Sequence, residues 1–309
     1  MDSFKTWMAQ IRANFLILSV FLVVLGIALS LKYPTPGNEF DLLRALIVML
    51  GAVVAHISVN LFNEYSDFHT KIDFKTNRTP FSGGSGMLTS GKSTPRAVLI
   101  VAIITLLVAL GIGIYMSFLS HWIILVFAAI GSFSIIFYTQ FLARYMLGEV
   151  FAGFALGTLV VLGTYVSLNA SAGMSLSELF PSEVVWLSIP PGILTALLLF
   201  INEFPDAEAD KEGGRLHLVI KLGKKASAWV YAAGMTAVFG IILVLPLTGL
   251  SSYWIYLGLL PLPMAVKASF TAIRHYEDNI KLVPALGSNV ITVLAVDLLL
   301  AVGVFIEVF

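Results

Sequence analysis

The sequence contains no cysteine, which excludes disulfide scaffolds, thiolate metal sites, Fe–S clusters and cysteine nucleophiles. Charge is also scarce: 12% of the 309 residues are charged, against about 25% in an ordinary soluble domain. The 18 basic residues balance the 18 acidic ones, so net charge gives no reason to expect nucleic acid as a partner. Histidines stand at 56, 69, 121, 217 and 275, and no two have the spacing of a local metal-ligand pair. What is abundant is apolar: 58% of residues are hydrophobic and the mean hydropathy is +0.94. This is the composition of a polytopic membrane protein.

A bilayer-crossing helix needs about 20 mostly apolar residues. Nine segments qualify, at about 14–31, 42–62, 95–116, 121–141, 148–168, 184–202, 226–246, 252–268 and 288–309. The eighth is short and interrupted by Pro261 and Pro263. The first apolar run is longer than a signal-peptide core and reads as a retained helix. Sixteen of the eighteen lysines and arginines fall at the N-terminus and in alternate loops, leaving Lys32 and Arg44 on the opposite side. By the positive-inside rule the N-terminus and both long polar loops, about 67–94 and 203–225, are cytoplasmic in a cell (inner) membrane, and the C-terminus is external.

Two span ends echo each other. Asn63-Glu64-Tyr65-Ser66-Asp67 closes the second span and Asn202-Glu203-Phe204-Pro205-Asp206 the sixth. Each copy runs on into further acids, Asp73 in the first and Asp210 and Glu212 in the second, and then to a glycine pair. The repeat predicts an all-α transmembrane bundle of about nine helices. It would comprise two pseudo-repeated four-helix units, about 14–141 and 148–268, plus a last helix at 288–309, in one integral membrane domain over 1–309.

Along the second span His56, Asn60, Asn63 and Asp67 recur at helical spacing and share one face. Polar groups within a bilayer are costly unless paired, so the stripe faces the bundle interior. Asn202, Asp206 and Asp210 share a face too, provided the helix persists past Pro205. Carboxylate and amide oxygens suit Mg²⁺, which binds through a few carboxylates together with substrate phosphates. Two facing clusters would hold Mg²⁺ and a diphosphate, with Lys71, Lys75, Arg78, Arg215 and Lys221 available to the phosphates. Phe133, Phe137 and Tyr138 offer aromatic faces for a carbocation.

These residues resemble the UbiA-type intramembrane prenyltransferase superfamily, whose hallmarks are an N-x-x-x-D…D and a D-x-x-x-D motif. Here they read Asn63-x3-Asp67-x5-Asp73 and Asp206-x3-Asp210. The five-residue gap is most like the 1,4-dihydroxy-2-naphthoate (menaquinone) branch. Similarity extends to Asn60-Leu61-Phe62-Asn63, Phe137-Tyr138-Thr139, Leu147-Gly148-Glu149 and the stretch from Asn202 through Gly223. In that branch a lysine usually follows the first aspartate by three residues, where this chain has Thr70 and then Lys71.

The resemblance implies Mg²⁺-dependent transfer of a prenyl group from an isoprenyl diphosphate to a small aromatic acceptor, by ionisation of the diphosphate and attack on the allyl cation. It implies Asn63, Asp67, Asp73, Asn202, Asp206 and Asp210 as metal ligands, the four aspartates being catalytic. Lys71, Arg78 and Lys221, with Arg144 and Arg215, would bind diphosphate. His56, Asn60, Tyr138, Phe137 and Phe133 would line the cavity. Nothing in the pattern requires an obligate protein partner.

Two other function classes compete: prenyl transfer to a glyceryl phosphate, and divalent-cation transport, which repeats bearing intramembrane acids also serve. The acids here gather at one face rather than at mid-membrane, which disfavours transport. A CDP-alcohol phosphotransferase expects a DG-x2-AR run that is absent. Gly86-x4-Gly91-Lys92-Ser93 fits the Walker A pattern, yet no apolar strand precedes it; the Gly/Ser stretch 82–86 reads as a cap over the site. Glu149 is expected to partner a helix N-terminus, and Asp297 to hydrogen-bond another helix.

Overall fold

A computed structural model describes residues 3–35, 39–138 and 141–308. Thr139 and Gln140, within the fourth expected span, lie outside them. Among the described residues eight helical segments are long and apolar enough to cross a membrane, and the fifteen-residue Ile123–Phe137 adds a shorter one. No strand is present among the described residues. The helices are α1 (Ser3–Gln10), α2 (Ile17–Lys32), α3 (Leu42–His69), α4 (Pro95–Leu119), α5 (Ile123–Phe137) and α6 (Gly148–Phe151). They continue with α7 (Leu159–Asn169), α8 (Ser182–Glu212), α9 (Leu218–Leu222), α10 (Lys224–Leu247), α11 (Leu262–His275) and α12 (Asn279–Val308).

Helix starts follow local chemistry. The Asp41 carboxylate accepts the Arg44 N–H at 3.0 Å and caps α3, and the Thr94 hydroxyl accepts the Ala97 N–H with Pro95 at the first position of α4. Both satisfy donors that a helix N-terminus leaves without intrahelical partners. Several ends differ from the apolar runs. α3 continues to His69 and α8 to Glu212, because helical periodicity outlasts the hydrophobic stretch while one polar face points inward. α8 passes through Pro190, Pro191 and Pro205 unbroken; each proline removes one ladder hydrogen bond, and the buried Ile201 and Phe204 anchor the turns around Pro205 in the core. The eighth expected span is divided into a 3₁₀ segment, Tyr253–Leu259, and α11, with Pro261 at the junction.

Between α6 and α7 the helix loosens into a π-helical stretch, Ala152–Thr158. There it meets α8 backbone to backbone: a Cβ added at Gly157 would lie 2.6 Å from the Gly192 Cα, and one at Gly153 would lie 2.5 Å from the Gly192 carbonyl oxygen. Small residues permit such approach in membrane bundles. Gly157→Val must push two backbones apart, and we expect it to destabilise the fold by about 3 kcal/mol, read as a lowered thermal midpoint in detergent.

At the end of α8 that begins with Ser182, a polar clasp joins three helices. The Lys32 ammonium at the end of α2 donates to both Glu183 oxygens at 2.7 and 2.8 Å and pairs with Glu307 of α12. The Tyr33 and Ser251 hydroxyls also donate to Glu183, and the Asn169 amide donates to the Ser30 and Tyr33 carbonyls at 3.1 and 2.9 Å. From Glu183 to Asp206 the helix rises about 34 Å, so clasp and acidic motif sit at opposite faces of a bilayer core about 30 Å thick.

Asp297 departs from expectation. It is fully buried in α12, yet neither carboxyl oxygen has a hydrogen-bond partner. α12 packs nearby by close approach to the 3₁₀ segment, Leu300 against Gly258 and Gly303 against Trp254.

Candidate active site

The C-terminal turns of α3 and α8 converge. Their loops hold them together: Ile72 packs on Gly213, where an added Cβ would lie 2.3 Å from the Ile72 side chain, and Lys75 pairs with Glu212 at 2.6 Å. Between the motifs the Arg215 guanidinium bonds Asp67 on one side and Asp210, at 2.7 Å, on the other. One side chain thus spans both acidic motifs. Burial works against the Arg215 charge, but the Asp67 and Asp210 carboxylates outweigh it and raise its pKa above the ordinary value.

Around this bridge lies a polar chamber of about 100 Å³. Asn63, Asp67, Asp73, Asn202, Asp206 and Asp210 all line it. The glycine-rich loop caps it, with Ser82, Gly83 and Gly84 on the wall. That loop is tied down by Glu64, whose carboxylate accepts the Ser85 N–H and hydroxyl, each at 2.6 Å. Gly84 has φ +70°, and a Cβ there would lie 2.6 Å from the Asp73 carboxylate; the left-handed backbone and the lack of space both require glycine. In the Walker-like stretch, Gly86 and Gly91 also have positive φ, but with no strand before it the segment has no P-loop architecture.

Does the chamber suit a divalent cation? One Asp206 carboxylate oxygen and the Asn202 amide oxygen are buried in the chamber wall without a hydrogen-bond partner. Burial first, then the charges of Asp67 and Glu64, push the Asp73 carboxyl up to about 8. An oxygen-rich, charge-crowded chamber with orphaned acceptors is the donor set that Mg²⁺ takes. The residues fit the ion.

Beneath this chamber lies an apolar one of about 220 Å³. The two share Arg12, Asn63, Phe81, Tyr138, Leu199 and Asn202 as wall. His56 and Asn60 line the apolar chamber, His56 bonded to the Ser19 hydroxyl at 2.8 Å and the Asn60 amide donating to the Ile11 carbonyl at 2.9 Å. A third space of about 180 Å³ continues it toward the opposite face between α3, α4, α5 and α7, sharing Ala52, Ala55, Gly131, Ile135, Ala155 and Val160.

Not every candidate from the sequence meets here. Phe133 and Phe137 line none of these three spaces; they are 39% and 42% exposed and stack on each other with centroids 5.0 Å apart, because they lie on the outward face of α5. Tyr138 alone of the three aromatics stands where the chambers join. Lys71, Arg144 and Lys221 are exposed and outside the chamber walls. Arg78 braces the cap loop instead, donating to the Asp73 and Gly83 carbonyls and the Thr89 hydroxyl. The cation from that set that does enter the chamber is Arg215. Arg12, which sequence reasoning passed over, lines both chambers and lies 3.8 Å from Glu64; its signal was a lone arginine just before the first apolar run. Glu149 stands in the first turn of α6, as expected of an acid at a helix N-terminus; it also accepts the N–H of Leu218, the first residue of α9, at 2.8 Å and lies beside Glu203 and His217.

The sequence matches the UbiA prenyltransferase family over residues 19–289. It is 27% identical to a 1,4-dihydroxy-2-naphthoate octaprenyltransferase from Bacillus subtilis, over 96% of this chain and 91% of that protein. In fold it is similar to an apo UbiA homologue from Aeropyrum pernix, with a TM-score of 0.67 at 18% identity over 96% and 98% of the two chains. It is also similar to an Archaeoglobus fulgidus UbiA homologue bound to DMAPP and Mg²⁺, with a TM-score of 0.60 at 13% identity over 96% and 99%.

Proposed function

The chain belongs to the UbiA prenyltransferase family and is an integral membrane prenyltransferase, and we propose that it transfers a prenyl group from an isoprenyl diphosphate to an aromatic acceptor of the 1,4-dihydroxy-2-naphthoate class. The observation that carries this reading is the convergence of two Asn/Asp motifs on one polar chamber that opens directly into an apolar one. A diphosphate fits the first and a hydrocarbon chain the second.

Asn63, Asp67, Asp73, Asn202, Asp206 and Asp210 would hold Mg²⁺. When bound, the ion supplies Lewis-acid stabilisation of the leaving diphosphate. Arg12 and Arg215 border the same chamber and place fixed positive charge where negative charge develops as the allylic C–O bond breaks. Tyr138 lines both chambers, where the carbon end of that bond would lie, and its ring would favour the allyl cation. The acceptor carbon forms the new C–C bond, and the ring proton leaves to restore aromaticity. The cap loop excludes water, which would otherwise quench the cation. The positive-inside rule supports a cytoplasmic active site in the cell membrane, with the C-terminus outside.

The prenyl tail occupies the apolar chambers. Their α3 wall runs from Asn63 to Val48, a rise of about 22 Å, which suits chains of geranylgeranyl length or longer. A Cβ added at Gly131 meets nothing within 4 Å, so Gly131→Phe leaves the fold intact and fills the passage between chambers. We expect it to cut geranylgeranyl transfer at least about tenfold while dimethylallyl transfer persists, as measured by parallel product assays.

The direct test incubates purified protein with Mg²⁺, a radiolabelled prenyl diphosphate and 1,4-dihydroxy-2-naphthoate, with glyceryl phosphate as a second acceptor. Prenylated naphthoate supports the reading. Prenylated glycerol alone moves the acceptor class, and no product with either acceptor from folded protein refutes it.

A further inference from the structure

On one wall of the polar chamber stands a second cluster to which the prenyl-transfer chemistry assigns no role. Glu149 at the start of α6, Glu203 on α8 and His217 just before α9 each offer a ligand atom, all within 4.8 Å of one another. The three residues are 3%, 7% and 1% exposed. One oxygen of Glu149, one of Glu203 and Nδ1 of His217 have no hydrogen-bond partner outside the cluster itself.

The geometry points to a buried site for a transition-metal dication of the Zn²⁺ class, held by Glu149, Glu203 and His217 and separate from the diphosphate chamber's Mg²⁺ ligands. Nδ1 of His217 lies 3.4 Å from the Glu203 carboxylate, too poorly disposed for a hydrogen bond. That separation is the edge of a tetrahedron whose bonds are about 2.1 Å, the usual Zn–N and Zn–O length. The remaining atoms supply outer support of the kind metal ligands have. Nε2 of His217 faces Asp210 at 3.2 Å, which with Nε2 protonated leaves the Nδ1 lone pair free to ligate. The second Glu149 oxygen is fixed by the Leu218 N–H at 2.8 Å.

Charge argues the same way. Two buried carboxylates side by side need a proton or a cation between them, and the Arg215 guanidinium is bonded to Asp67 and Asp210. An imidazole in the ligand set favours Zn²⁺ over Mg²⁺. Glu203 and His217 also line the polar chamber, so a fourth ligand position is open to water. The ion would pin the 213–218 connection against α6 and α8, and through His217 it would orient Asp210. Its role is positioning.

The test does not depend on prenyl transfer. Full-length protein in detergent is stripped with chelator, dialysed into millimolar Mg²⁺, titrated with Zn²⁺ alone and assayed for bound metal by mass spectrometry. One Zn²⁺ per chain, retained against Mg²⁺, is expected. It should be weakened more than about 100-fold by His217→Gln or Glu149→Gln and kept by Asp206→Asn. Co²⁺ in place of Zn²⁺ gives the wild-type protein a visible absorption band that reports an imidazole-bearing site without any variant. Absence of a retained ion in wild-type protein overturns the proposal. Loss of Zn²⁺ in Asp206→Asn with retention in His217→Gln overturns it too, by placing the ion in the diphosphate chamber.

Discussion

Asp206→Asn should lower the turnover number at least about 10³-fold while leaving the thermal midpoint of the protein nearly unchanged. The two halves of that expectation come from one fact. An Asp206 carboxylate oxygen lies buried in the chamber wall with no partner in the protein, so the fold does not depend on its charge. Asparagine keeps the shape and removes the negative charge that the chemistry needs. A steady-state assay beside a melting curve separates these effects. A large fall in stability, or retained turnover, would mean that the carboxylate is structural. Arg215→Ala makes a poor control, since it leaves Asp67 and Asp210 buried without their shared partner, a kind of loss that costs about 3–5 kcal/mol.

A large effect on stability is expected at the other face too. Glu183→Ala should destabilise the protein by about 3–5 kcal/mol, because it leaves the Lys32 ammonium short of a carboxylate and removes the acceptor shared by Tyr33 and Ser251. Glu307 still pairs with Lys32, which keeps the loss below that of an isolated buried charge. Since the clasp is about 34 Å from the acidic motifs along α8, activity per folded molecule at low temperature should stay near wild type. Thermal inactivation rates compared with initial velocities distinguish the two. Equal losses in both would show that the clasp communicates with the site.

The bundle was legible in the sequence because membrane helices announce themselves by long apolar runs, and eight such segments with one shorter companion are present. Their ends were less legible. Helicity continues past the apolar run wherever a polar face turns inward, as at Asn63 to His69 and Asn202 to Glu212, and hydropathy does not register that. The Asn/Asp pattern that lines the chamber was readable because its spacing is local to each helix. Which cations face it was not, since Lys71, Arg144, Lys221 and Arg215 all carry positive charge and only the folding of the loops separates them. Phe133 and Phe137 were misplaced for a related reason: α5 is apolar on all sides, so its sequence does not say which face meets lipid. The Glu149, Glu203 and His217 cluster joins residues more than fifty positions apart and had no local signature.

The arginine bridge changes what it means for this protein to take up its substrate. Two carboxylates from opposite halves of the chain already share one counterion, and that counterion is part of the polypeptide. On the proposed function loading would be an exchange, in which Asp67 and Asp210 would release Arg215 to hold Mg²⁺ and its guanidinium would be left for the diphosphate. Because the swap conserves the number of close opposite-charge contacts, the resting protein need not store the electrostatic strain that a bare ring of acids would impose.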